Sequence, residues 1–193
     1  MSIKNKDASN KINKMNQNKL IKYFILKVLL IIKYLPFLQI IRLRRFFYKI
    51  LLKKMGELCN ICDAVTIQNE DKLEIGDRVS IHQNTVIGAK GGIKIGNFCG
   101  IANNCTIVTV EHKHDDINTL QKNQGLIYKS VIIEDDVIIG SNSTILGGSK
   151  IGKGSYIGAG SVVSGNFPPY SVILGNPARI LYNRKKISKL NDE

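Results

Sequence analysis

The chain has 193 residues, of which 28 are Lys or Arg and 15 are Asp or Glu, giving a formal net charge of +13 at pH 7. Apolar residues make up 44% of the chain, which excludes a disordered protein and a multi-span membrane protein and suits one domain with a small appendage. Residues 1–54 hold 14 basic residues and one acid, whereas the remaining residues hold 14 of each sign, so the basic character belongs to the N-terminal segment alone.

This segment is predicted to begin with a disordered basic tail over residues 1–19, which is rich in Asn and Lys. Basic amphipathic helices are predicted over residues 20–56, with Pro36 ending the first of them. The longest apolar run there, Val28–Ile32, is much shorter than the roughly 20 residues of a spanning helix. No signal-peptide cleavage site follows it, so we expect a cytoplasmic protein.

The basic helices have two possible roles. Basic amphipathic helices commonly lie on anionic membrane surfaces, which predicts peripheral contact with the inner face of the membrane through residues 20–54. Alternatively, their apolar sides only cap the domain that follows and protect its first strands. Nucleic acid is not an expected partner, because the aromatic residues of the segment sit within apolar stretches.

Four cysteines occur in the chain, two of them as the lone CxxC pair Cys59 and Cys62. Such a pair is a weak signal for a metal or redox site. Cys99 and Cys105 occupy the small-residue position of the repeat described next, so packing accounts for them. We therefore expect no metal and no need for an oxidising compartment.

An internal repeat dominates the rest of the chain. Six aliphatic residues stand six apart without a gap: Ile133, Ile139, Ile145, Ile151, Ile157 and Val163. Upstream, seven more follow at spacings of 8, 6, 6, 8, 6 and 6: Ile67, Ile75, Ile81, Ile87, Ile95, Ile101 and Ile107. A period of six requires a triangular solenoid in which each turn has three short strands, each with one aliphatic residue inside. The prediction is an all-β solenoid, a parallel β-helix of about five coils over residues 57–166.

The repeat breaks once, between Ile107 and Ile133, and we predict an extruded active-site loop over residues 108–131. Loops of this length in compact domains are often functional, and this one holds the sequence Glu-His-Lys-His-Asp-Asp at residues 111–116. After the solenoid, residues 167–193 are predicted to form a closing strand and a basic tail.

The hexapeptide run, the His-bearing loop and the closing sequence Pro168–Arg179 resemble the left-handed β-helix acyltransferases. The similarity is closest to the branch that holds galactoside, maltose and polysaccharide O-acetyltransferases. It implies a left-handed coil, a homotrimer, and acetyl-CoA bound as co-substrate between neighbouring β-helices. It also implies a carbohydrate acceptor, a hydroxyl of a bacterial surface polysaccharide or its precursor.

The resemblance further implies that His112 is the catalytic base, because residues 105–112 align without gaps to the family's catalytic segment. One imidazole can take the hydroxyl proton during attack and return it to the leaving thiolate. Its second nitrogen needs a partner, for which Glu111, Asp115 and Asp116 are candidates, although the two aspartates could simply cap turns of the loop.

The remaining site expectations concern the two substrates. Acceptor-binding residues are expected at His82, Asn84 and His114. Cofactor-binding residues are expected at Gly140, Ser141, Gly158, Ala159, Arg179 and Lys185. Two departures bear on acceptor specificity, since His82 stands where the family often has Asn, and Ile138 where galactoside-type members carry Trp.

Three alternatives remain open from sequence. The first is a sugar N-acetyltransferase of the same fold. The second is a metal-binding trimer like the γ-type carbonic anhydrases, which would use the three histidines of the chain, His82, His112 and His114. The third is a non-catalytic scaffold that the basic helices hold at a membrane.

Overall fold

A computed structural model describes residues 19–35 and 38–186 of the chain. Most of the predicted N-terminal tail (residues 1–18) and the end of the predicted C-terminal tail (residues 187–193) lie outside the described residues. Two helices come first, α1 over residues 19–32 and α2 over Leu38–Leu51. Parallel strands follow and wind into a β-helix with three faces, A, B and C.

Face A is a six-stranded parallel sheet. Its strands are β1 (Lys54–Met55), β4 (Leu73–Ile75), β7 (Ile93–Ile95), β12 (Val131–Ile133), β15 (Lys150–Ile151) and β18 (Asn166–Phe167). The first strand therefore begins three residues before the predicted start of the β-helix at residue 57.

Face B has six parallel strands and one antiparallel edge strand. They are β2 (Asn60–Ile61), β5 (Ser80–Ile81), β8 (Gly100–Ile101), β13 (Ile138–Ile139), β16 (Tyr156–Ile157), β19 (Ser171–Gly175) and the antiparallel β20 (Ala178–Asn183). Face C is five-stranded, with β3 (Thr66–Gln68), β6 (Val86–Gly88), β9 (Thr106–Val108), β14 (Thr144–Ile145) and β17 (Val162–Val163).

The predicted aliphatic residues form the interior in register. On face B the stacked residues Ile61, Ile81, Ile101, Ile139, Ile157 and Ile173 are all at most 1% exposed. Burial of each such side chain contributes about 1.5–3 kcal/mol, which is why the period of six specifies the solenoid. Faces A and B extend into a sixth coil, one more than the five predicted, because Phe167 and Ile173 continue the interior columns.

Small polar residues occupy the inner corners beside these columns. Cys105 Sγ donates to the carbonyl of Gly140 at 3.3 Å, and one coil further on Ser143 Oγ donates to the carbonyl of Gly158 at 3.1 Å. Cys99 Sγ makes the matching bond to the Glu134 carbonyl at 3.1 Å. These thiols thus act as buried hydrogen-bonding spacers, and all four cysteines are free.

The two N-terminal helices cover the first coil. Helix α1 buries Ile25, Leu29 and Ile32 in the same apolar cluster as the first strands. On α2, the buried Arg44 donates from Nη1 to the carbonyl of Ile61 at 3.2 Å and from Nη2 to that of Leu35 at 2.6 Å. The structure therefore gives these helices a capping role. Within the described residues, none of the helices combines the length and apolarity needed to cross a membrane.

Candidate functional site

The predicted loop is a β-hairpin that leaves the β-helix at the edge between faces C and A, called here the C/A edge. Strand β10 (Val110–His112) pairs antiparallel with β11 (Leu126–Tyr128), so that His112 lies opposite Leu126. Thr109 fixes the base of the hairpin, because its hydroxyl donates to the Gly88 carbonyl at 2.7 Å and accepts from the Gly91 amide at 2.8 Å.

His112 ends strand β10 and is exposed. Its backbone carbonyl lies 3.1 Å from Nδ1 of His114, a bond that orders the turn after the strand. Among the described residues, the His112 imidazole has no hydrogen-bond or ion-pair partner. Its ring is therefore available to a substrate.

Two of the three carboxylates proposed to support His112 are engaged elsewhere in the protomer. Glu111 Oε2 pairs with Lys129 Nζ at 2.8 Å, and neighbouring residues of a strand point to opposite faces, so Glu111 lies on the other side of the hairpin from His112. Asp116 accepts from the Asn118 amide at 2.9 Å and the Thr119 hydroxyl at 2.6 Å, and these bonds lower the pKa of its carboxyl. Asp116 thus caps a turn, while Asp115 is exposed.

Most of the residues expected to bind substrates lie along a second edge, between faces B and C, called here the B/C edge. Backbone hydrogen bonds connect its successive turns, from the His82 amide to the Ile101 carbonyl at 2.9 Å and from the Gly140 amide to the Ile157 carbonyl at 2.8 Å. His82 and Asn84 are exposed at the second coil, and Asn84 has a φ of 59°.

Gly140, Ser141, Gly158 and Ala159 follow along the B/C edge at the fourth and fifth coils. A Cβ on Gly140 would stand 2.6 Å from the backbone nitrogen of Ala159. The close stacking of the two turns therefore requires glycine at this position, whatever the edge binds. Ser141 is half-buried and Ala159 exposed, so both offer contacts to solvent.

The two expected basic cofactor residues are at opposite ends of strand β20. Arg179 pairs with Leu174 just past the turn at the B/C edge, and its Nη1 donates to the Ala178 carbonyl at 2.9 Å. Lys185 lies at the other end of face B, with its ammonium 4.4 Å from the centroid of the Tyr170 ring. The structure thus groups Arg179 with the B/C edge and separates Lys185 from it.

Face C separates the hairpin from the B/C edge within a protomer. No hydrogen bond or ion pair among the described residues connects the hairpin to His82, Asn84 or the glycines of that edge. The protomer therefore brings together His82, Asn84, Arg179 and the edge glycines at the B/C edge, and it places His112 and His114 at the C/A edge.

Sequence reasoning did not identify two further features. Lys129, which pairs with Glu111 across the hairpin, could have been found only from the strand register. On face B, a cavity of about 280 Å³ is lined by Ile138, Tyr156, Tyr182 and Arg184 among others, where outward side chains from three coils meet. Ile138, noted as a departure from galactoside-type members, forms part of this wall.

The described residues contain no group of three or more His, Cys, Asp or Glu side chains placed to hold a metal ion. The three histidines are divided between the B/C edge, which has His82, and the hairpin, which has His112 and His114. Within one protomer they do not converge.

The chain is similar to known transferases. The family profile described as "Bacterial transferase hexapeptide (six repeats)" matches residues 130–165. A probable acetyltransferase of Mycobacterium tuberculosis is 36% identical over 133 residues, which cover 68% of this chain. The chain spans 44% of the length of that curated relative.

Solved structures share the fold over most of the chain. A hexapeptide-repeat acetyltransferase of Vibrio cholerae is 28% identical with a TM-score of 0.73, covering 86% of this chain and 92% of that one. The same Vibrio protein has also been solved with acetyl-CoA, and that structure superposes with a TM-score of 0.75. A maltose O-acetyltransferase of Clostridium difficile, 23% identical with a TM-score of 0.70, covers 84% of this chain and 85% of its own and shares the fold. These matches confirm the predicted resemblance to the hexapeptide-repeat acetyltransferases and the predicted β-helix.

Proposed function

We propose that this chain, which is similar to the hexapeptide-repeat acetyltransferases, moves the acetyl group of acetyl-CoA to a sugar hydroxyl with His112 as general base. The observation that carries the proposal is the position of His112, exposed on a hairpin that projects from this scaffold, with an imidazole that no other described side chain engages. The acetyl-CoA complex of the similar Vibrio protein supports the choice of co-substrate.

The reaction needs one group that first accepts and then donates a proton. His112 would take the hydroxyl proton while the sugar oxygen forms a bond to the thioester carbonyl carbon. The carbon–sulfur bond then breaks, and the imidazolium returns the proton to the leaving thiolate, so that the products are an acetyl ester and free CoA. A histidine suits both steps because its pKa ordinarily lies close to neutral pH.

The proposed acceptor is a hydroxyl of a bacterial surface polysaccharide or of its lipid-linked or nucleotide-linked precursor. His82, Asn84 and His114 remain the proposed acceptor contacts, and the first two are exposed side by side at the B/C edge. Such precursors are made in the cytoplasm, which is where we place the enzyme, at or near the inner face of the membrane.

We also propose a homotrimer, because the site is divided in the protomer. His112 lies on the hairpin of the C/A edge, whereas Gly140, Gly158 and Arg179 lie along the B/C edge. In a threefold ring the C/A edge of each protomer can face the B/C edge of the next, which would bring the base to the acetyl-CoA groove. Each trimer would then hold three equivalent sites. Lys185, at the far end of face B, is the least supported cofactor contact.

The test compares His112→Ala with its neighbour variant His114→Ala. Loss of a catalytic base should lower kcat at least about 100-fold in His112→Ala, while His114→Ala, which loses a turn-ordering bond and one proposed acceptor contact, should lose less than about tenfold. Thiol release from acetyl-CoA in the presence of a sugar panel measures both. An active His112→Ala protein together with an inactive His114→Ala protein would refute the assignment.

The product distinguishes the hydroxyl acceptor from the amine acceptor of the alternative function. An acetyl ester is cleaved by hydroxylamine at alkaline pH, whereas an acetamide survives. We expect the acetylated sugar to lose its acetyl group under this treatment. A product that survives it would replace the proposed O-acetyltransferase with an N-acetyltransferase.

A further inference from the structure

Exposed apolar side chains are concentrated on the N-terminal helices. Helix α1 and the turn after it expose more than half of each of seven large residues, which are Ile21 and six that lie together on the outward side: Leu20, Tyr23, Phe24, Leu30, Ile31 and Tyr34. Helix α2 adds Phe46 at 60% and Ile50 at 53%. Soluble surfaces rarely present so many large apolar groups together, and such patches mark contacts with a protein or a membrane.

These residues form an outward face that is distinct from the face packed on the β-helix. Ile25, Leu29 and Ile32 point inward at spacings of four and three residues. On the opposite side, Leu20, Phe24 and Ile31 form one stripe, and Tyr23, Leu30 and Tyr34 form the stripe beside it. Helix α1 is therefore apolar on both sides. The cap on the first coil accounts for only one of them.

Cations lie among and beside the exposed apolar residues. Lys27 stands between the two stripes of α1, with its ammonium 4.6 Å from the centroid of the Tyr23 ring. On α2, Arg42 and Lys49 are exposed beside Phe46 and Ile50. Residues 19–54 contain ten basic residues and no Asp or Glu.

The acids that neutralise part of this charge belong to the β-helix. Lys22 pairs with Glu70 at 3.5 Å, and Lys53 pairs with Glu74 at 2.6 Å. Lys19, Arg42 and Arg45, by contrast, form no ion pair with any described residue. A net positive charge thus remains at the border of the apolar face.

We infer that the outward face of α1 and α2 docks on the surface of an anionic bilayer. Apolar side chains with neighbouring cations match the acyl boundary and the anionic headgroups of such a surface, and Lys27 can reach the headgroups while its stem stays in the apolar layer. A second copy of this chain fits less well, because its face would present cations to cations. Docking is independent of acetyl transfer.

Vesicle co-sedimentation of the full chain tests this inference. We expect binding to phosphatidylcholine vesicles that contain phosphatidylglycerol, and little binding to pure phosphatidylcholine. The double variant Ile31→Ser/Phe46→Ser should bind at least about tenfold more weakly, because both side chains insert. The control Leu181→Ser, which changes a similarly exposed leucine on β20, should change binding less than about twofold.

The charge contribution has its own pair of variants. Lys27→Gln/Arg42→Gln should weaken binding by about threefold to tenfold, and Lys153→Gln on the fifth coil should leave it unchanged. Salt near 1 M should weaken binding of the unmodified chain, because screening then acts within about 3 Å.

Three results would overturn the inference. They are no sedimentation with anionic vesicles at low salt, equal binding to vesicles without anionic lipid, and a helix variant that changes the oligomer mass but not vesicle binding. Thiol release by Ile31→Ser/Phe46→Ser on a soluble acceptor should equal that of the unmodified chain. A failure of docking is thereby separated from a failure of the proposed activity.

Discussion

The hairpin that carries His112 depends on backbone approaches that admit no side chain. A Cβ on Gly91 would lie 2.7 Å from the Thr109 carbonyl oxygen and 3.0 Å from the backbone nitrogen of Lys129. Both neighbours are main-chain atoms at the two roots of the hairpin, so neither can rotate away. Gly88, the last residue of β6, has only the Ile107 carbonyl at 3.8 Å, an ordinary contact.

Gly91→Ala should therefore destabilise the protein by about 1–3 kcal/mol, the usual range for overpacking, and should lower kcat by displacing His112. Gly88→Ala is the matched control and should lie within about 1 kcal/mol of the unmodified chain. Urea unfolding and thiol release measure the two effects. Equal stability and activity of the two variants would contradict this prediction, because the hairpin roots would then accommodate an added Cβ at Gly91.

Individual residues also show which features of the structure could be predicted from the sequence and which could not. The inward positions were predictable because each aliphatic residue repeats at a fixed period, and even the spacings of eight correspond to three-residue strands such as Leu73–Ile75. The pairing of Glu111 with Lys129 was not predictable, since the two are 18 residues apart and meet only through the hairpin register. The division of the candidate site between two edges could not be predicted either, because the local sequence of a turn does not show at which edge of the β-helix it lies.

At the scale of elements, the contact between the two N-terminal helices and the first coil, called here the seam, is mostly apolar and contains a few buried polar groups. Arg44 is 2% exposed, and burial lowers the pKa of its guanidinium. Among the described residues, its Nε is the only buried side-chain nitrogen or oxygen without a hydrogen-bond partner. Tyr48 lies on the same side of α2 and lines a cavity of about 280 Å³ with Leu29, Lys33 and Glu70. Arg44 and Tyr48 are thus polar groups buried where the helices meet the first coil.

Tyr48 makes this seam sensitive to alkali. Burial, followed by the negative charge of Glu70, raises the pKa of its phenol to about 12, against about 10 in the unfolded chain. The phenol contributes stability that is complete below about pH 10 and is lost as the pH rises toward 12. Over that range the unmodified chain should lose up to about 3 kcal/mol relative to Tyr48→Phe, which has no proton to release.

Urea unfolding of both proteins at successive alkaline pH values isolates this contribution, since the other titrating groups are common to the two. A difference in unfolding free energy that stays constant from about pH 9 to about pH 12 would contradict the assignment of the shift to Tyr48.

At the scale of the molecule, the three edges of the β-helix have different structural roles. The A/B edge lies between faces A and B, and hydrogen bonds of 2.7–2.8 Å connect its successive turns. The Glu57 amide donates to the Asp77 carboxylate, and the Asp77 amide donates to the Asn97 side-chain oxygen. The Asn97 amide in turn donates to the Asp135 carboxylate. The B/C edge offers exposed turns, and the C/A edge extends the hairpin. Most of the candidate residues lie on these last two edges, which are the ones that the proposed trimer would bring together.

A divided site predicts that two inactive variants can restore each other. His112→Ala leaves the B/C edge intact, and Ala159→Trp should block the proposed acetyl-CoA groove while leaving the hairpin intact, so each alone should be inactive. In randomly mixed trimers, a site is complete where a normal hairpin faces a normal edge on the next protomer, which gives about a quarter of the sites. Co-refolding equal amounts of both variants should therefore recover about a quarter of the thiol release of the unmodified protein. No recovery, although native mass spectrometry shows mixed trimers, would mean that each protomer builds its site alone.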